Sequence, residues 1–398
     1  MKMMRDSQFS NLAMISGIAF IAISPLYFYG ALSVQITQGL GYRPSLHGLG
    51  ATSFYLVAAV FAVSLGRTTD RLDPVITLRL AIIMTIISNL GITLSNSLVV
   101  ICASLAIGGL GNALATPGIA QLVQDRIELR KQGLAYGFKQ SATGLSTLIG
   151  GAAIPFVALD NQWRYVFGLG VLFSLGILLK LRGMSSSKLS DLRKLHKKEL
   201  KVSRTKAKHS YSSEVKLIST SFAIGAAVGA GLITYLPLSI AEVGLNSTES
   251  SFVLILASSS SLITRFVVLL YMDRTKIDSI RICIGMMFLG SIGLFGLSTM
   301  SKGVITISSL ISYAFGWGWI GLITYKMLRI SDGNLGSNVG LMQAAAAVGS
   351  ISGPIALGAT YELSGFALMW QISALGLVLS LLFLIASQFK QNNSTLNA

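Results

Sequence analysis

The chain has 398 residues, 52% of them hydrophobic and 12% charged, with a mean hydropathy of +0.69. Those values exclude a soluble domain of this length and place the chain in a bilayer. The formal charge of +16 would suit nucleic acid, but the basic residues sit in short segments between apolar runs and read as topology signals, so no nucleic-acid partner is expected.

Twelve apolar runs follow one another, each long enough to cross about 30 Å of hydrocarbon as a helix. The first half predicts spans at 8–34, 46–66, 75–95, 98–124, 132–158 and 164–182. The second predicts 215–241, 249–271, 278–299, 303–327, 336–361 and 366–388. Span 1 follows a short basic start, as a signal peptide does, yet continues without a small-residue cleavage site and reads as a retained helix. Setting both termini and the central segment on one side gathers Lys2, Arg5, Arg67, Arg130, Lys131 and Lys276 there, with other basic residues, and leaves little beyond Arg43, Arg164 and Lys302 opposite. By the positive-inside rule that side is cytoplasmic, which predicts a multi-pass protein of the cell inner membrane with both termini inside.

The chain also repeats itself. Asp70 and Arg71 in TTDRLD return as Asp273 and Arg274 in YMDRTK, an offset of 273 − 70 = 203. The same offset takes Gly41 to Gly244, Gln140 to Gln343, Gly150 to Gly353 and Trp163 to Phe366. Two parallel repeats of six helices are therefore expected, with a site between them near the midplane where each half can rock against the other. The organisation reads as a six-helix bundle over 1–182, a basic linker over 183–213 and a second bundle over 214–398. In the linker Leu189, Leu192 and Leu195 recur at about one helical turn, which suits either an amphipathic helix on anionic lipid or a solvated tether. Cys102 and Cys283 lie in apolar runs of different halves, so no disulfide, thiolate metal site or cofactor is expected.

Gly66, Asp70 and Arg71 carry the spacing of a loop signature between helices 2 and 3, and through it the whole chain resembles the major facilitator superfamily. Asp73, Pro74 and Val75 stand where that signature closes with a glycine and two basic residues. The resemblance implies an all-α membrane fold of twelve transmembrane helices in two pseudo-symmetric bundles, working by alternating access. It implies a gating role for Gly66, Asp70 and Arg71 and for the second copy, Asp273 and Arg274. Asp70 would latch the cytoplasmic start of span 11 and Asp273 the start of span 5, where a carboxylate at a helix N-terminus is favoured by about 0.3–1 kcal/mol. Lys139, Gln140, Gly144, Gly151 and Pro155 in span 5, with Gly109, Gly111 and Pro117 in span 4, resemble a bacterial subgroup that includes cyanate-transporter-like proteins. Spaced small residues let helices approach closely and a proline bends them, so spans 5 and 11, the latter with Gly349, Gly353, Pro354 and Gly358, can pack at the seam and pivot.

Charge within the spans is the sharper signal. Lys139 sits about 12 Å from the cytoplasmic end of span 5, and a lysine near the bilayer centre costs about 2.5–3.5 kcal/mol if it faces lipid. It is expected to face the cavity between the halves. Arg265 in span 8 is a second cation, for which the alternative to lining the route is a structural bond to neighbouring helix carbonyls. No Asp or Glu falls deep within any span, so the two cations have no evident counter-charge in the polypeptide. A bound anion would neutralise them. Gln140, Gln343 and Asn112 could add amide donors, and Tyr29 and Trp317 could wall the cavity. His47, His196 and His209 lie in or near loops, which weakens the usual proton-symport machinery.

The sequence thus predicts a monomeric secondary transporter, not an enzyme, that moves a small organic or inorganic anion, monocarboxylate or cyanate-like, across its lipid bilayer. Drug or metabolite efflux and a non-transporting sensor on a transporter fold are the alternatives.

Overall fold

The computed structural model describes residues 2–69, 72–127, 129–157, 162–182, 211–274, 278–330 and 335–396. In the first half α1 (Lys2–Ala31) and the short α2 (Ser33–Leu40) are followed by α3 (Gly48–Thr69), α4 (Pro74–Thr93), α5 (Leu98–Arg126), α6 (Leu129–Ala153) and α7 (Trp163–Arg182). The second half holds α8 (Ser213–Glu242), α9 (Ser247–Arg274), α10 (Ser279–Leu297), α11 (Lys302–Ile311), α12 (Ile320–Arg329) and α13 (Leu335–Leu396). Ten helical stretches are long and apolar enough to cross a membrane. One of them is the α13 stretch, which breaks into two arms at Gly365 (φ 75°); with the second arm and α6 the spans number twelve among the described residues.

Helix ends follow local chemistry. The Asp73-Pro74 pair, which departs from the loop signature, caps α4: the Asp73 carboxylate accepts from the Val75 N–H at 2.7 Å and proline occupies the first turn. Asn246 and Glu249 form a reciprocal capping box at α9, with bonds of 2.8 and 2.9 Å. Gly41 and Gly244, mates under the repeat, both turn left-handed, at φ 67° and 84°, a conformation that glycine adopts without a Cβ clash. The repeat is therefore visible in the backbone as well as in the letters.

On the linker side of the second half, Asp278 caps α10, accepting from the Ile280 N–H at 3.3 Å, and also takes the Gln388 amide at 2.8 Å and Lys326 Nζ at 3.4 Å. Partial burial by itself raises the Asp278 carboxyl, but the bonds from Gln388 and Ile280 and the Lys326 charge outweigh it and leave the group below its ordinary value. The stabilisation from a depressed carboxyl is present above the unfolded value, about 3.9, and fades as pH falls through the folded one. Asp278→Ala removes a helix cap and an anchor for three helices and is expected to cost about 1–2 kcal/mol, read as a lower melting temperature of the detergent-solubilised protein at pH 7.

Within each half glycines bring helices into backbone contact: Gly109 of α5 lies on the Phe54 carbonyl of α3, and Gly353 of α13 on that of Ala227 in α8. Between halves the contacts run through two seams. Gly144 and Gly151 of α6 meet Leu262 and Leu254 of α9, while Gly48 at the start of α3 meets the Pro354 carbonyl of α13. The repeat exchanges these seams, because α13 is the mate of α6 and α3 the mate of α9. Thr52 donates to the Ile351 carbonyl at 2.9 Å, Ser251 to that of Gly151 at 2.8 Å, and Arg43 pairs with Glu362 at 2.9 Å. All these contacts lie between mid-depth and the end away from the linker, so the two bundles are closed on that side.

Candidate functional site

Arg265 lies on α9, nine residues before its end at Arg274, and is 6% exposed. Its side chain crosses the seam. One Nη donates to the Gln140 carbonyl at 2.9 Å and to Thr143 Oγ1 at 2.6 Å on α6, and the other to the Trp317 carbonyl at 3.4 Å. Helix carbonyls therefore do hold this arginine, the role set against substrate contact in the sequence. They hold it with neutral acceptors, which occupy three of the five guanidinium N–H groups. Among the described residues no carboxylate meets it, so the positive charge stays uncompensated.

The Trp317 carbonyl is free to accept because span 10 is not one continuous helix, as its apolar run had predicted. α11 ends at Ile311, a wide turn follows over Ser312–Gly316, and α12 resumes only at Ile320. Two glycines, Gly316 and Gly318, with two tryptophans between and beside them, explain the break. The Trp317 ring packs against Gly229 of α8, and the Trp319 indole folds back to the Gly316 carbonyl at 2.8 Å. Irregular backbone at membrane depth survives only where protein or a cavity satisfies it.

Lys139 is on α6, next to Gln140, whose carbonyl Arg265 holds, so the two cations lie at one level along α6. It is half-buried, with no hydrogen bond or ion pair to another described residue. It is eleven residues, three helical turns, from Gly150, whose face rests on Phe28 and Ala31 of α1. Gln140 and Asn112 are also half-buried with no described side-chain partner, whereas Gln343, the repeat mate of Gln140, is exposed.

Tyr29 does not wall this level. It is fully buried toward the end away from the linker, stacked on His47 at 3.8 Å and donating to the His47 carbonyl at 2.8 Å. Trp317 is at the site through its carbonyl, with the ring 8% exposed. Of the gating residues, Gly66 is half-buried near the end of α3 with open space where a Cβ would sit. Asp70 and Arg71 lie outside the described residues; Asp273 and Arg274 close α9, and their side chains also lie outside them.

The sequence missed a cluster of hydroxyls. Tyr27 of α1 is 5% exposed, lies in the field of Arg265 and interacts through its hydroxyl with Tyr55 of α3. Tyr313, in the wide turn of span 10, is 3% exposed, lies in electrostatic reach of Tyr27, and its hydroxyl has no partner. Ser258 and Ser261, on the same face of α9 as Arg265, are also buried without partners. One signal was present: serines three and four residues apart leading to an arginine mark a polar helix face.

The arrangement sets two cations at one level along α6, with buried hydroxyls near Arg265, and the two bundles closed at the end away from the linker. Solved structures share the fold. A D-xylose-proton symporter aligns with a TM-score of 0.72 at 17% identity, covering 93% of this chain and 96% of that one. The xylose transporter XylE from E. coli, partially occluded and inward open, aligns at 0.75 and 15%, covering 96% and 99%. A POT family transporter in complex with a thioalcohol-conjugated peptide aligns at 0.72 and 13%, covering 95% and 96%. No curated protein matches the sequence. The family model described as Major Facilitator Superfamily matches residues 12–330, and with the twelve spans, the repeat and the shared fold this chain belongs to that superfamily of multi-pass membrane transporters.

Proposed function

We propose that the protein is a secondary active transporter of a small anion, a monocarboxylate or cyanate-like species, with Lys139 and Arg265 as the charged pair that receives it. One observation carries the reading: two cations from opposite halves lie at one level along α6, Arg265 buried and Lys139 half-buried, and no described carboxylate meets either. Charges left so in a low-dielectric seam are expensive, and a negative guest lowers that cost. The likeness of Lys139-Gln140 and the small residues of spans 4 and 5 to cyanate-transporter-like proteins favours the smallest anions. Six-helix bundles over 1–182 and 214–398, with the basic linker and both termini on the cytoplasmic side, complete the proposal.

A neutral polyhydroxylated solute is a second reading, favoured by the unpaired Tyr313 hydroxyl and the neighbouring Tyr27 and Tyr55. A thermal-shift screen of purified protein separates the two. A ligand stabilises by RT ln(1 + [L]/Kd), so an anion at about a hundred times its dissociation constant adds about 2.7 kcal/mol. Small carboxylates and cyanate are expected to raise the melting temperature and uncharged sugars to leave it unchanged; the reverse pattern overturns the anion reading. Counterflow of unmodified anion in proteoliposomes then distinguishes a carrier from a sensor, which binds without moving solute.

A further inference from the structure

His47, which the sequence placed in or near a loop, is 0% exposed. It ends a short 3-10 turn, Pro44–His47, at the outer mouth of the seam. Its Nε2 lies 3.1 Å from the Tyr29 carbonyl, which can only accept, so Nε2 carries the proton. Its Nδ1 lies 2.8 Å from the Tyr42 hydroxyl, which must then donate. The ring is therefore neutral with both nitrogens used, stacked at 3.8 Å on Tyr29 with 10° between the planes. A second proton would set Nδ1–H against the Tyr42 O–H, in a pocket with no described counter-charge.

This turn is also the part of the first half that the second half grips. The Tyr235 hydroxyl of α8 accepts from the Gly48 N–H at 3.1 Å and lies 2.9 Å from the Pro354 carbonyl and 3.1 Å from that of Ser45. Gly48 directly follows His47, so the ring cannot move without shifting the grip. Opening the outer side separates Gly48 from Tyr235 and Pro354 and lets water reach the turn.

We infer that His47 is the pH sensor of the outer gate: the gate closes only over a neutral imidazole, so protonation from the outer side holds the transporter open to that side. The inference needs the two halves to alternate, and does not depend on which solute they carry. The proton cannot be the one that drives uptake. His47 is sealed on the outer side when the gate shuts, and closure expels the proton back to the side it came from.

The sign is fixed by which state binds the proton. An exposed imidazole protonates near about pH 6.5. Only the open state takes that proton, so the closed-to-open ratio is constant well above this value and falls about tenfold per pH unit below it. The other groups near the ring do not titrate in that window. Tyr29, Tyr42 and Tyr235 are phenols and Cys102 of α5 is a thiol, groups that are ordinarily uncharged below neutral pH. At the rim Glu362 bonds Ser45 of the turn and pairs with Arg43 at 2.9 Å. No other titratable group is described against the turn.

The test is a distance measurement across the outer mouth. Leu94, at the outer end of α4, and Leu363, at the outer end of the first arm of α13, are 74% and 84% exposed and accept nitroxide labels as cysteines once Cys102 and Cys283 are replaced by serine. Distance distributions in nanodiscs are recorded from pH 7.5 to 5.0. With His47 present the long-distance population is expected to grow relative to the short one by about tenfold per unit below pH 6.5. His47→Gln, which keeps one donor and one acceptor but cannot titrate, is expected to hold one distribution throughout, and so is His47→Phe, which keeps only the stacking. An unmoved distribution with His47 present overturns the inference whether or not the variants fold. An acid shift that persists in either folded variant overturns it as well.

Discussion

Lys139→Ala is expected to leave the protein at least as stable as the wild type while lowering anion transport about thirtyfold or more. The two halves of that expectation have different origins. Lys139 makes no hydrogen bond or ion pair to another described residue, so truncation removes no described hydrogen bond or ion pair and relieves a half-buried charge. Removing one member of a desolvated charge contact to a ligand costs about 2–5 kcal/mol, which at tenfold per 1.4 kcal/mol is a loss of roughly thirtyfold to several thousandfold. Initial uptake in proteoliposomes, beside a melting curve on the same preparation, gives both numbers. Wild-type uptake from Lys139→Ala would remove the charged pair from the mechanism. Arg265→Ala is a harsher change, because it also empties the bonds to Gln140, Thr143 and Trp317, and it should lower the melting temperature together with transport. Arg265→Lys cannot restore those three bonds, since an ammonium lacks the planar fork that spans α6 and the broken tenth span.

The second large effect concerns the gate. Gly48→Ala is expected to shift the transporter toward the state open at the end away from the linker and to reduce turnover by roughly fivefold to a hundredfold. Gly48 has φ −58° and ψ −25°, an ordinary helical conformation that alanine adopts without strain. With the gate shut, however, the new Cβ would overlap the Pro354 carbonyl and stand 2.5 Å from the Tyr235 hydroxyl. The first clash is with backbone, so no rotamer change relieves it, and overpacking of this kind costs about 1–3 kcal/mol. Because the cost arises only in the closed arrangement, it appears as a shift between states and not as unfolding. The outer-mouth distance distribution of Gly48→Ala should lie at its long-distance limit at every pH, with little change in melting temperature. Gly353→Val gives the contrast. That glycine lies on the Ala227 carbonyl inside one half, so the clash persists in both states and the melting temperature falls.

A good part of this architecture was legible in the letters. Spans of 20 or more apolar residues declare themselves because every backbone polar group in hydrocarbon must be paired along its own helix. The constant offset of 203 declared the two halves, and the left-handed glycines at 41 and 244 show that the repeat is one of backbone geometry. Lys139 and Arg265 stood out for the same reason: ions are costly in hydrocarbon and so are rare within spans. Asp73-Pro74 reads as a helix start once the cap is seen, and its departure from the loop signature has a local cause.

What the tertiary structure decided was which groups meet. The sequence by itself determined that the chain spans a membrane twelve times, in two related halves, with buried cations and no deep carboxylate, because period, length and charge are properties of each segment alone. It could not determine that Arg265 reaches the Gln140 carbonyl, that span 10 breaks beside it, that Tyr27 and Tyr313 come near each other, or that Tyr29 and His47 stack at the end away from the linker instead of lining the centre. Those pairings join residues far apart along the chain or depend on how a loop folds back. They arise from the close approach that Gly48, Gly144 and Gly151 permit between the bundles, and only the folded chain fixes it.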